Sequence, residues 1–202
     1  MPRKFDSNVL VIDVESTCWE LPEVQGSNEI SEVIEIGVAV VDTKKLEIVQ
    51  NDSIIVRPQR SKISKFCTKL TTLTQDYVDQ GMTFQAAMAI LKKNYHCEDR
   101  TFVSWGDYDR KMFERNCRDY NIKYPFGPRH LNLKNSFTLL HGLEREPGMD
   151  DALSHLAMKL EGTHHRGIDD SKNIARILIH TLSRFRSGPE YPDDLYGEGD
   201  CA

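Results

Sequence analysis

The sequence predicts an α/β fold: a mixed five-stranded sheet, its first three strands antiparallel, flanked by helices on both faces. Three observations carry this. Three apolar segments come first, close enough together for an antiparallel meander. Short apolar segments then alternate with amphipathic helical ones. The first segment is apolar on both of its alternating faces, as a central, buried strand should be.

That first strand is Asn8 to Glu15. Side chains alternate along it, so Val9, Val11, Asp13 and Glu15 share one face and Leu10, Ile12 and Val14 the other. The loop at 16–30 carries Pro22, Gly26 and Asn28. Val33 to Val41 is the second strand, with Glu35 and Gly37 inside it, and Lys45 to Val56 the third, closed by Arg57-Pro58. Residues 57–82 read as a polar connection with one short helix near Thr74 to Asp79. From Thr83 the period changes: Phe84, Ala87, Met88, Leu91 and Tyr95 fit one helical face. Thr101 to Trp105 is a fourth strand, and 109–120 a helix through Met112, Phe113, Cys117 and Tyr120. His130 to Leu133 is a fifth strand. Helices are expected at 134–141, 149–160 and about 168–184. The expected organisation is one domain over 1–187, with Gly188-Pro189 opening an acidic, flexible tail over 188–202.

At 202 residues the chain can bury a sizeable core, and 39% hydrophobic with 28% charged residues is a globular mix. No apolar run approaches a membrane span, and Met1 to Asp6 lacks the apolar region of a signal peptide. Five scattered cysteines without a CxxC pair argue against a zinc ribbon, and the expected location is cytoplasmic with reduced thiols. The net charge of −5 speaks against a non-specific nucleic-acid binder. It leaves open an enzyme that meets phosphates through cations.

Asp13 and Glu15 end a buried strand on one face, and two such carboxylates need a cation, a shared proton or a strong donor to coexist. Two more acids follow from helical period. Asp109 aligns with Met112, Phe113 and Cys117 on a buried stripe, whereas Asp107 falls with Arg110, Lys111 and Glu114. Asp109 also suits a plain helix N-terminus. Asp170 shares its face with Ile174, Ile177 and Leu178, whereas Asp169 lies with Asn173, Arg176 and His180 on a polar face. His165 precedes Asp170 by five residues in the loop. Asp13, Glu15, Asp109 and Asp170 together match a two-metal centre, and His165 has the pKa of a general base near neutral pH.

These residues resemble the DEDDh 3′–5′ exonucleases of the ribonuclease H-like superfamily. The motifs are Asp13-Val14-Glu15-Ser16-Thr17, then Trp105-Gly106-Asp107-Tyr108-Asp109, then His165 through Asp170. Glu32 to Gly37 is similar to the family's second strand, and so is Leu70 to Gln75 to a further segment, with Thr72 where the family usually has glycine. Glu15-Ser16-Thr17-Cys18-Trp19 and His165 to Ser171 look most like the ERI-1/three-prime histone-exonuclease branch. The resemblance implies a mechanism. Asp13 would bridge two Mg²⁺ or Mn²⁺ ions, Glu15 and Asp170 would complete the water-activating site, and Asp109 would hold the second ion. His165 would deprotonate the attacking water, and nucleoside 5′-monophosphates would leave from the 3′ end of single-stranded RNA or DNA. Backbone groups near Ser16 and Thr17 would meet the terminal sugar, and Tyr108 or Trp105 would stack on a base; Trp105 also suits the core. The basic run Arg57, Arg60, Lys62, Lys65 reads as a solvated loop. Three alternatives stand beside this: a haloacid-dehalogenase-type phosphatase, in which Glu15 would have to be an Asp; an inert ribonuclease H-like binding module; and a polymerase proofreading subunit.

Overall fold

The computed structural model describes residues 6–187 except 22–24 and 27. The expected tail at 188–202 lies outside the described residues. β1 (Asn8–Ser16), β2 (Val33–Asp42) and β3 (Glu47–Ile55) form the antiparallel meander; β4 (Thr101–Ser104) and β5 (His130–Asn132) add in parallel, giving the order β3-β2-β1-β4-β5. The helices are α1 (Lys65–Thr71), α2 (Gln75–Asp79), α3 (Phe84–Tyr95), α4 (Tyr108–Asp119), α5 (Leu133–Leu140), α6 (Met149–His155) and α7 (Gly167–Arg186). The mixed five-stranded sheet predicted from the sequence is the one observed.

The two faces of β1 separate two cores. Leu10, Ile12 and Val14 pack with Phe84, Met88 and Leu91 of α3 and Met112 and Phe113 of α4. Val9 and Val11 pack with Phe137 of α5, Leu153 of α6 and Ile174, Ile177 and Leu178 of α7. The alternation of β1 therefore sends Asp13 and Glu15 to the α7 side.

Two elements differ from the sequence expectation. The first is α1, which falls inside the stretch read as a connection. Ser64 caps it by accepting the Cys67 amide at 2.9 Å, and Thr72 ends it at φ 65°. Thr72 thus holds the left-handed conformation that glycine adopts without strain, at the very position where the family usually has glycine. The second is α6, which stops at His155 rather than at 160. Ala157 turns left-handed (φ 55°), its N–H donates to Ser154 O, and the Met158 N–H donates to Leu153 O at 2.9 Å. This is a Schellman closure built without glycine or asparagine, so the sequence carries no sign of it.

Candidate active site

The site forms where the pairing of β1 changes. β4 pairs with β1 only as far as Val11, so the amide of Val14 is left without a strand partner. Asp109, in the first turn of α4, fills that vacancy: its Oδ1 accepts the Val14 N–H at 2.9 Å. Crevices at the carboxyl ends of such strands are where α/β sheets bind ligands.

Asp170 arrives from the other side. Asp13 stands opposite Gly37 in the β1–β2 register. A Cβ on Gly37 would lie 1.8 Å from the carbonyl oxygen of Gly167, so only glycine lets the start of α7 rest on β2. Glu35, fully buried, holds that start down. Its carboxylate accepts the Gly167 N–H (3.0 Å), the Arg166 guanidinium (3.0 and 3.3 Å) and the Ser53 hydroxyl (2.6 Å). One turn into the helix, Asp170 then brings a carboxylate oxygen within 4.8 Å of oxygens of Asp13 and Glu15.

Glu15, Asp109 and Asp170 are buried, and Asp13 is half-buried. Neither Asp13 nor Glu15 receives a side-chain hydrogen bond from a described residue. Burial and the charges of Asp109, Glu15 and Asp170 push the Asp13 pKa well above the usual carboxylate range. Burial, then the charges of Asp170 and Glu35, pushes Glu15 up to about 8. Burial pushes Asp109 up to about 7 against the pull of the Val14 amide. Burial also raises Asp170, opposed by His164 and by the His165 backbone N–H, which donates to Asp170 at 2.9 Å. A cluster of buried, like-charged oxygen ligands is the donor set a hard divalent cation takes, so the residues fit such an ion.

A cavity of about 370 Å³ opens onto these acids; His164, His165, Tyr108, Trp105 and Cys18 also line it. The histidines need separate accounts. His164 Nδ1 lies 3.1 Å from the Asp170 carboxylate, a contact that residue spacing alone did not reveal. His165 sits at φ 63° with its ring stacked on that of His164 at 4.0 Å, and burial together with His164 lowers its pKa. Asp107 and Asp169 are less buried than Asp109 and Asp170, as helical period implies. Asp169 is not idle, however: it accepts the Thr163 N–H at 2.8 Å, and Asn173 on the same face is buried and bonded to Glu161. That face holds down the loop before α7 instead of being solvated.

The expected substrate contacts divide. The Tyr108 hydroxyl is 2.7 Å from the Ser16 hydroxyl, and both residues line the cavity. Thr17 does not line it: its N–H donates to Glu32 O, and its hydroxyl donates to Ile30 O and accepts from the Glu32 N–H. The Trp105 indole N–H donates to Pro147 O, and its ring packs on Phe137. Met149 and Asp150 line the cavity without any sequence signal that marks them, and Leu70, also in the lining, is marked only by the family-like segment that it opens. Leu70 belongs to α1, which the sequence does not announce, and nothing in the pattern of Met149 and Asp150 separates them from an ordinary helix start. Arg57, Arg60, Lys62 and Lys65 lie away from the cavity lining.

Residues 10–178 match the Exonuclease family. The nuclease domain of 3'hExo, described as a DEDDh family member bound to rAMP, superposes with a TM-score of 0.80 at 30% identity over 88% of this chain and 92% of that one. The chain belongs to the DEDDh exonuclease family. Among curated exonucleases, 3'-5' exoribonuclease 1 of Rattus norvegicus is 32% identical over 184 residues, which are 86% of this chain and 52% of the relative. The probable 3'-5' exonuclease KapD of Bacillus subtilis (strain 168) is 30% identical over 92% of this chain and 91% of its own. The chain thus spans about half the length of the rat relative. Among the described residues no helix is long and apolar enough to cross a membrane.

Proposed function

We propose that this chain is a divalent-metal-dependent 3′–5′ exonuclease that shortens single-stranded nucleic acid, RNA in the first place, and that residues 1–187 form its catalytic domain. The observation that carries the reading is the set of four inward carboxylates, Asp13, Glu15, Asp109 and Asp170, which repel one another at the floor of a cavity. RNA is favoured because the rat relative is named an exoribonuclease. Unpaired cysteines among the described residues suit a reducing compartment, the cytoplasm in our reading.

Asp13, Glu15 and Asp170 would hold one Mg²⁺ or Mn²⁺ ion, and Asp109 with Asp13 a second. When bound, these ions neutralise the carboxylates and the phosphate and stabilise the charge that develops on the attacking and leaving oxygens. His165 takes a proton from the attacking water, since its ring borders the same cavity and burial beside His164 lowers its pKa, which favours the neutral ring a base needs. Asp170 fixes the histidine loop by accepting the His165 amide. Tyr108 and Ser16 border the space for the terminal nucleoside, with Tyr108 as the stacking surface.

The test is degradation of matched 5′-labelled RNA and DNA strands with Mg²⁺ or Mn²⁺. A descending ladder on linear RNA, resistance of a circular strand and silence in EDTA are expected. Cleavage of the circle, or full activity in excess EDTA, overturns the reading. A ladder on DNA alone overturns the RNA assignment.

A further inference from the structure

A second cavity, about 600 Å³, lies among the end of α5, the end of α6 and the last turns of α7. His141, His155, His180 and Arg184 line it with Leu140 and Phe185, and among the described residues no carboxylate does. In a chain with 31 acidic and 26 basic residues, a rim of one guanidinium and three imidazoles, without an acid among the described residues, is locally positive and rich in N–H donors. His155 Nε2 lies 3.1 Å from His141 Nδ1, so one ring donates to the other and both are held in place. Nδ1 of His180 is buried without a hydrogen-bond partner among the described residues. Burial and the positive charges of His155, Arg184 and His180 lower the His141 pKa. The guanidinium and the imidazole N–H groups at the rim are donors that an anion satisfies.

Two helices, α6 and α7, reach both this cavity and the active site. Met149 opens α6 at the acidic cavity and His155 closes it at this one. On α7, Thr181 and Arg184 return to within about 40° of the Asp170 face, about 16–21 Å further along the axis. Phe185, 70% exposed, offers a ring beside the cations.

We propose that this cavity is a second nucleic-acid site, gripping the phosphodiester backbone and a base of the strand whose 3′ end lies in the acidic cavity. The proposal rests on the exonuclease reading above. Arg184 forks onto a phosphate, the imidazole N–H groups donate to neighbouring phosphate oxygens, and Phe185 stacks on a base. Its consequence is an affinity that grows with strand length.

The experiment compares a 5′-fluorescent RNA trinucleotide with a dodecanucleotide. Binding is measured by anisotropy at several salt concentrations on the Asp13→Asn background, so that the strand stays uncleaved. Trinucleotide turnover is measured with Asp13 intact. Arg184→Glu should weaken dodecanucleotide binding about tenfold and flatten its salt dependence by about 0.7 in log–log slope for each phosphate released. Trinucleotide turnover should not change, and Arg184→Lys should keep most of the affinity. His155→Ala should show the same length-selective loss, and it decides the matter if Arg184→Glu does not fold. Unchanged dodecanucleotide affinity and salt slope in both variants overturns the proposal. So does a zinc titration that binds the wild type and fails on His155→Ala while RNA affinity stays constant, because the cavity is then a metal site. If the chain with Asp13 intact degrades no RNA at all, the exonuclease reading fails instead.

Discussion

Two sets of buried acids lie close together, and they are built in opposite ways. Glu32 and Glu35, on and just before β2, are saturated by the protein. Glu32 accepts the backbone N–H groups of Gln59, Arg60 and Ser61 (2.7, 3.0 and 2.6 Å) and the Tyr120 hydroxyl. Glu35 has Arg166, Gly167 and Ser53. Asp13 and Glu15 on β1 have no such donors among the described residues, and Glu15 stands directly opposite Glu35 in the register. Burial without donors costs free energy unless a cation joins. The saturated pair therefore holds the fold together, while the unsaturated acids carry negative charge that only a cation or a proton would compensate.

The largest effect that could break this comparison comes from Asp13→Asn. In the proposed reading Asp13 would be a charged ligand to both ions, so its loss should cut turnover by about three decades or more, several kcal/mol of transition-state stabilisation. Thermal melting in EDTA should show the variant as stable as the wild type or more so, since one repulsive charge is gone. A lower melting temperature would mean that Asp13 is a structural acid like Glu35.

His165→Ala should cut turnover by about 10²–10⁴-fold while leaving Mn²⁺ affinity intact by calorimetry, the pattern of a missing general base. The contact of His164 with Asp170 makes His164→Ala the necessary control. It should loosen metal binding more than it slows the chemical step, and the reverse pattern would exchange the two roles.

On the saturated side, Glu35→Gln should cost about 3–5 kcal/mol in urea unfolding, because Arg166 is left without its charged partner. A loss of turnover with unchanged stability would place Glu35 among the functional acids.

The acids of the cavity also give the fold a pH response. The raised values of Glu15 and Asp109 mean that the metal-free native state holds protons the unfolded chain releases from about pH 4. Stability without metal should therefore fall as pH rises from about 4 toward 8, and Mg²⁺ or Mn²⁺ should flatten the slope. Melting curves in EDTA that rise across this range would contradict it. The smallest expected effect is Asp169→Asn. Its amide oxygen can still accept the Thr163 N–H, so activity should stay within about twofold of wild type, whereas Asp170→Asn abolishes it.

Much of the molecule is legible in the sequence because it depends on period. Alternation in β1 assigns both faces of the central strand, and helical phase separates Asp109 from Asp107 and Asp170 from Asp169. What is not legible depends on three-dimensional closeness or on unmarked turns. Thr72 and Ala157 take left-handed conformations without the residues that advertise them. Thr17, expected near the substrate, spends its hydrogen-bonding groups on closing its own loop. The contact of His164 with Asp170 needs a bend in the chain that residue spacing does not show. Glu35 looks in the sequence like a charge interrupting a strand, and only its donors reveal what it is for.

The meeting of Gly37 and Gly167 sets a mechanical tolerance for the whole molecule. A methyl group on Gly37 would have to move the Gly167 carbonyl from 1.8 Å to the 3.4 Å where ordinary contact begins. The hinge so created sits at one end of a rod of 20 residues, about 30 Å long. Asp170 is only one turn from the fulcrum, yet a shift of about 1 Å in reacting groups can cost about a hundredfold in rate. Any redesign of this chain has to treat the absent side chains at 37 and 167 as fixed parts, because here alignment depends on atoms that are not there.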